Sequence, residues 1–246
     1  MRSSSPGAAW PTGCGCTIPH LISGRPVRRW LPPLLILLML APSCLMLGGC
    51  SLAGVIAAKA PRPPIAAAYP GLKGQTVGIM VWADEGVMID HPNVLTDIAG
   101  GLQDKLTQAA TAGADEVKDV TWKNANEVEQ FQDDHPEMRF DPATDFAVRL
   151  GVTRLVYIEI QNLSLHPAET VDLSRGSIIA NVKVVEVQND KGKIAFAENH
   201  VSIVYPDKAP DEGVPGYNDE DVYHKSVDAF TTEVAKRFIT HDADSQ

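Results

Sequence analysis

Four groups of residues are of types and spacing that could do chemistry. Asp133-Asp134-His135-Pro136-Glu137 offers carboxylates and an imidazole to a divalent cation. Its spacing matches no metal motif, and Pro136 forces a turn, so a solvated loop of charges is expected. Asp90-His91-Pro92 precedes an apolar-periodic run, where a helix N-terminus could hold an anion. Capping of that helix by Asp90 or His91 is the plainer expectation. Ser164, Ser174, Ser177, Ser202 and Ser226 could each join a His and an Asp as a nucleophile. None of them sits in the G-x-S-x-G elbow that would expose a serine for attack. Gly100-Gly101 lies within a helical pattern and not in a loop after a strand, so it forms no phosphate cradle. Close helix packing accounts better for those glycines. No catalytic residue, no metal-ligand set and no cofactor is assigned.

The cysteines are a fifth group. Cys14, Cys16, Cys44 and Cys50 all fall in the first 50 residues of a 246-residue chain. That stretch also holds Arg2, Arg25, Arg28 and Arg29, with no acidic residue. The apolar run Leu34 to Leu40 follows, too short to span a bilayer, which takes about 20 residues. Pro42 then interrupts it. Basic, apolar and cleavage regions in this order make residues 1–49 an export signal. Leu47-Gly48-Gly49-Cys50 resembles a bacterial lipobox. The resemblance implies that Cys50 receives a diacylglycerol and becomes the new N-terminus, with Leu47, Gly48 and Gly49 recognised by the peptidase. Cys44, after Ala41-Pro42-Ser43, is the competing position, and a start near Arg25 would give a conventional signal by itself. Ser51 as the second mature residue favours the outer membrane, facing the periplasm, by resemblance to the enterobacterial sorting rule.

Removing the signal takes four basic residues and no acidic one, so the mature chain carries a net charge of −14. That excess argues against nucleic acid or an anionic membrane surface as a docking partner. With its one remaining cysteine at the terminus, the mature chain has no internal disulfide, and its stability must come from an apolar core. Residues 50–71 read as a tether, with Pro61, Pro63, Pro64 and Pro70 among alanines. It is either an extended spacer at about 3.1 Å per residue or a shorter disordered one. Residues 72–241 read as one domain, and residues 242–246 as a disordered tail.

Within the domain, Gln75 to Ala83 is an apolar, β-rich run. Asp84 to His91 reads as a loop. Pro92 opens a helix with apolar residues at Val94, Leu95, Ile98, Leu102 and Leu106, and Gly113 lies past its end. Val117 to Trp122 is a weak strand. Asn124 to Glu127 looks like a capping box. Asp141-Pro142 opens a further helix that carries Phe146 and Leu150, and Gly151 ends it. Arg154 to Leu165 and Gly176 to Gln188 are strands. A turn at Asn189 to Gly192 then leads to a strand from Ile194 to Tyr205. A closing helix holds Val222, Val227, Phe230, Val234 and Phe238. The order is β-α-β-α-α-β-β-β-α: a single α/β (α+β) domain whose helices cover a mixed sheet.

This order resembles the periplasmic core shared by curli-secretion-type lipoproteins, the lipoprotein activators of penicillin-binding proteins and the N-terminal domain of TolB. The residues that carry it are Val77-Gly78-Ile79-Met80-Val81 and Leu150-Gly151-Val152-Thr153-Arg154-Leu155-Val156-Tyr157. Glu159 stands near the group's usual glycine. The resemblance implies a non-enzymatic scaffold or partner-binding role, with an envelope protein or a second copy of the chain as partner. Two long loops, His166 to Arg175 and Pro206 to Asp221, offer contact residues. Arg175, Tyr217 and Tyr223 are the expected anchors, the tyrosines exposed in and beside the acidic second loop. The rival is a periplasmic hydrolase, which a deep pocket joining Asp84, Asp90 and His91 would favour.

Overall fold

The uninterrupted apolar run at Thr76–Trp82 forms strand β1, the second strand in the sheet. In the computed structural model, residues 63–168, 170 and 172–243 are described. The export signal, Cys50 and the tether as far as residue 62 lie outside them. β1 pairs in parallel with β2, Thr121–Trp122, on one side and with β3, Arg154–Ser164, on the other. Helices cover both of its faces, so neither set of its side chains meets water and no polar alternation is needed.

Helices α2 (Val94–Thr111) and α5 (Asp219–Ala235) pack on one face. Leu102, Leu106, Phe230 and Val234 close there over Ile79, Val156, Ile158 and Val182. On the other face, α3 (Ala125–Asp134) and α4 (Ala143–Leu150) bring Val128, Phe146 and Leu150 onto Met80, Leu155 and Val185. The alternate residues of each strand thus feed two cores, and the result is three layers. β4, Gly176–Gln188, and β5, Lys191–Tyr205, extend the sheet antiparallel, giving the order β2-β1-β3-β4-β5. Asn189 and Asp190 turn the hairpin with φ of 52° and 57°, the left-handed pair a two-residue turn requires.

The structure agrees with the expected single mixed domain and departs from the sequence reading in local places. Glu85–Asp90, read as loop, is a short helix, α1. It buries no residue, so it left no apolar stripe to detect. Pro92 precedes α2 without joining it, and Asn93 takes the cap position. The weak strand shrinks to the two residues of β2, because Asp115–Val117 turns as a 3-10 helix to bury Val117. Half of the capping box forms. Asn124 Oδ1 accepts the Asn126 N–H at 2.9 Å, whereas Glu127 turns to Lys123. Helix α4 starts one residue late, with Pro142 at the cap, and its stop at Gly151 has φ 72°. Of the two helical glycines, Gly101 serves packing: an added Cβ would lie 3.3 Å from Thr231 of α5. Gly100 has open space around it. Phe238 is buried as expected but lies beyond the end of α5.

The domain also begins earlier than residue 72. Ile65 pairs with His241, and the Tyr69 N–H donates to the Arg237 carbonyl at 2.8 Å. The Tyr69 side chain is buried, its ring edge-on to Phe238 and its hydroxyl donating to Glu186 at 2.7 Å. One aromatic among prolines has no periodicity, so composition assigned these residues to the tether.

Candidate functional site

At their C-terminal ends β1 and β3 part company. β1 leads through α1 into α2, while β3 runs on through its loop into β4. Crevices outside the carboxyl ends of diverging parallel strands are common ligand sites. Here the divergence opens a cleft of about 560 Å³ between the Asp90-His91 corner, the end of β3 and the first turn of α5.

Tyr223 supplies one wall. Its hydroxyl donates to Asp97 at 2.7 Å, and the His91 ring stacks on it with centroids 4.8 Å apart and planes 10° apart. Burial and the bond to Asp97 push the Tyr223 hydroxyl well above the ordinary tyrosine range, so it stays protonated. Burial pulls His91 below its usual value, against the opposing pull of Asp90 and Asp219, and leaves its imidazole neutral at pH 7. Neither Asp90 nor the His91 ring caps α2; the His91 carbonyl accepts the Val94 N–H at 3.0 Å.

His166 forms the opposite wall. Its Nδ1 lies 2.9 Å from the Leu173 carbonyl oxygen and its Nε2 3.2 Å from Asp219 Oδ1. The bond to Leu173, then Asp219, raises its pKa. Two acceptors suit an imidazolium, which donates from both nitrogens. Both ring nitrogens are thus taken up, by the Leu173 carbonyl and by Asp219. Ser164 Oγ donates to the His166 carbonyl at 2.7 Å and not to its ring. The nearest approach to a Ser-His-Asp set therefore lacks the bond that would activate the serine.

The other candidates disperse. Asp84 does not converge with Asp90 and His91; it stands in a separate cleft, 3.8 Å from Arg139. Asp133 and Asp134 are exposed at the end of α3, and His135 Nδ1 bonds the Phe131 carbonyl at 2.9 Å. Among the described residues no group of three or more His, Cys, Asp or Glu is placed to hold a metal ion.

Of the expected contact residues, Tyr217 is exposed at 44% and leans edge-on against Tyr205. Tyr223 is half-buried in the cleft wall, a correction to the expectation that it stands free. Its ring is held by His91 and its hydroxyl by Asp97. Arg175 reaches Asp211 at 3.2 Å and is largely covered, with its Nε buried and unpaired. The two long loops are fastened together by this ion pair and by a two-bond bridge between Ser174 and Val214, at 2.8 and 3.0 Å. The His166–Asp219 pair went unnoticed in the sequence. Its members sit 53 positions apart in separate elements, and no local pattern joins them.

The chain reaches the domain at the other end of these strands. Arg154, the first residue of β3, donates from Nε to the Gly71 carbonyl at 3.2 Å, whereas Ser164 and His166 at the far end line the cleft. At about 3.3 Å per residue, a strand of this length separates the two ends by roughly 30 Å.

Fold and cleft define a three-layer α/β domain with an open crevice at the carboxyl ends of its parallel strands. No family model and no curated protein matches the chain. Among solved structures, it is similar to a PelC dodecamer from Paraburkholderia phytofirmans, with 9% identity over 70% of this chain and 95% of that one and a TM-score of 0.39. It is also similar to lipoprotein GNA1162 from Neisseria meningitidis, at 14% identity over 65% and 97% with a TM-score of 0.39. The hypothetical protein CT253 from Chlamydia trachomatis shares 14% identity over 68% and 98%, with a TM-score of 0.36. Likeness this distant transfers no function to the chain.

Proposed function

We propose that this chain is a lipid-anchored protein of the cell envelope that binds a partner at its loop end and catalyses no reaction. One observation carries the reading: the chain enters the domain at the N-terminal ends of β1 and β3, and the cleft opens at their far ends. An anchor at Cys50 would attach on the entry side and leave the cleft end free to meet another molecule. The lipobox at Leu47, Gly48, Gly49 and Cys50 and the Pro-rich residues after it support the anchor. Ser51 favours the outer membrane, with the domain in the periplasm. The occupied nitrogens of His166 and the dispersal of Asp84 speak for binding over hydrolysis.

The anchor is tested by metabolic labelling with a palmitate analogue. Cys50→Ala should abolish the label and leave the precursor uncleaved. Label that survives in Cys50→Ala and disappears in Cys44→Ala would move the anchor to Cys44.

The rival hydrolase reading rests on His91, a neutral imidazole beside Asp90 in the same cleft. Capture from solubilised envelope with the full chain as bait separates the two readings. Tyr217→Ala should weaken recovery of a specific partner, and His91→Ala should leave the function in place. Loss of function in His91→Ala at unchanged stability would favour the hydrolase.

A further inference from the structure

The second cleft, on the α3/α4 side of the sheet, is smaller and of different chemistry. Its volume is about 200 Å³, and Trp82, Asp84, Arg139, Tyr157, Glu159 and Gln161 help to line it. Strand register builds most of it. Trp82 of β1 lies beside Glu159 of β3, and Tyr157 of β3 beside Lys183 of β4. Arg139 comes from the 3-10 turn Pro136–Phe140, and Asp84 from the N-cap of α1, just past β1.

Two opposite-charge pairs stand in the cleft or at its edge, where Lys183 faces Glu159, and neither closes. Arg139 Nη2 is 3.8 Å from Asp84 Oδ1, and Lys183 Nζ is 3.9 Å from Glu159 Oε2. Both distances exceed a hydrogen bond. The Trp82 indole N–H is buried with no acceptor, a state that costs free energy. The Tyr157 hydroxyl is pushed up to about 12 by burial and by Glu159, so at neutral pH it keeps its proton and can donate. The cleft therefore offers Arg139 and the Tyr157 hydroxyl to an anion, with Lys183 beside Glu159 at its edge, and two carboxylates to a cation. At about 30 Å³ per water in the liquid, 200 Å³ is the space of about seven waters, or roughly as many non-hydrogen atoms.

We propose that this cleft binds a small zwitterion of the α-amino acid class, its carboxylate toward Arg139 and Lys183 and its ammonium toward Asp84 and Glu159. A simple anion would leave the two carboxylates facing it, and a simple cation would face the two bases. Only a ligand carrying both charges satisfies both sets. The site is separate from the cleft at His91 and does not rest on the partner-binding reading.

Isothermal titration of the full chain in detergent with glycine, L-alanine, L-glutamate and L-lysine tests it. At least one should bind at concentrations on the order of 10 mM or below. The N-acetyl and methyl-ester forms of that amino acid should each bind about tenfold more weakly, a loss of about 1.4 kcal/mol. Arg139→Gln and Glu159→Gln should each weaken binding by a similar factor with melting temperature unchanged, and His91→Ala should not affect it. Absence of binding by all four, or binding indifferent to Arg139→Gln and Glu159→Gln, overturns the assignment.

Discussion

The two ends of the sheet hold their charged and aromatic groups in opposite ways. Where the chain enters, Tyr69 packs edge-on against a fully buried Phe238 and bonds Glu186, which lies 3.6 Å from Arg154. Nearby, Arg237 grips Glu198 through two nitrogens, at 3.1 and 2.9 Å, and also bonds Glu233. At the cleft end, the corresponding pairs put one partner in water. Asp211, which holds Arg175, is 96% exposed, and Asp219, which holds His166, is 63% exposed. Ile89 is left 72% exposed and Tyr217 44%. Exposed pairs contribute little to stability, while a partly desolvated and multiply bonded set contributes more. The ion pairs around Tyr69 and Arg237 are thus the more desolvated, and those that fasten the two long loops lie nearer the surface.

Four sets of measurements sharpen this contrast. Phe238→Ala should have the largest effect. Removing a fully buried aromatic costs about 3–5 kcal/mol, which for a domain of this size lowers the melting temperature by about 10 °C. A smaller loss would mean that the entry end is not the firm one.

Next comes a chain in which residues 63–71 are deleted. Loss of the buried Tyr69 ring and its two hydrogen bonds should destabilise the domain by about 2–4 kcal/mol, measured by urea unfolding. Tyr69→Phe, which removes only the bond to Glu186, should cost about 1 kcal/mol. A deletion without consequence would return these residues to the tether.

Acidity should act on the cleft end with two opposite signs. His166 has a raised pKa, so its protonation favours the folded state. That stability is fully present below the ordinary value of 6.5 and is lost as pH rises through the raised value. His91 has a lowered pKa, so the unfolded chain takes up the proton first, and stability falls as pH drops below 6.5. Unfolding of His166→Asn should therefore lack the gain on the acid side, and His91→Asn should lack the loss. Profiles identical to that of the unaltered chain would show that neither ring senses the fold.

The smallest stability effect belongs to Tyr217→Ala. Losing one edge-on contact with Tyr205 should cost less than about 1 kcal/mol. Partner recovery should nevertheless fall. A large drop in melting temperature would make Tyr217 a packing residue and remove it from the contact surface.

Several parts of the fold were legible because the physics that makes them is local. The buried strand at Thr76–Trp82 shows as an apolar run, helix α2 as a three- and four-residue period, and the hairpin as Asn189-Asp190 between alternating strands. Gly113 and Gly151 mark helix ends by the positive φ they adopt. Cysteine usage and the lipobox are likewise matters of composition and order, and they lie in residues the sequence alone speaks for. Helix α1 was not legible, since it packs no stripe, nor was the docking of Tyr69, since a single aromatic has no period.

The sequence by itself thus determined the class of fold, the order of its main elements and the charge that disfavours anionic partners. It also named Asp90, His91, Arg175, Tyr217 and Tyr223, but not their surroundings. Only the tertiary structure decided that Tyr223 stacks under His91, that His166 is bound on both sides, and that Asp84 stands apart with Arg139. It also set two loosely paired ion pairs beside the unpaired Trp82 indole. These arrangements depend on strand register and helix placement, which bring together residues tens to more than a hundred positions apart. The pKa of each group follows from the burial and partners found there, and neither is encoded within a few residues of chain.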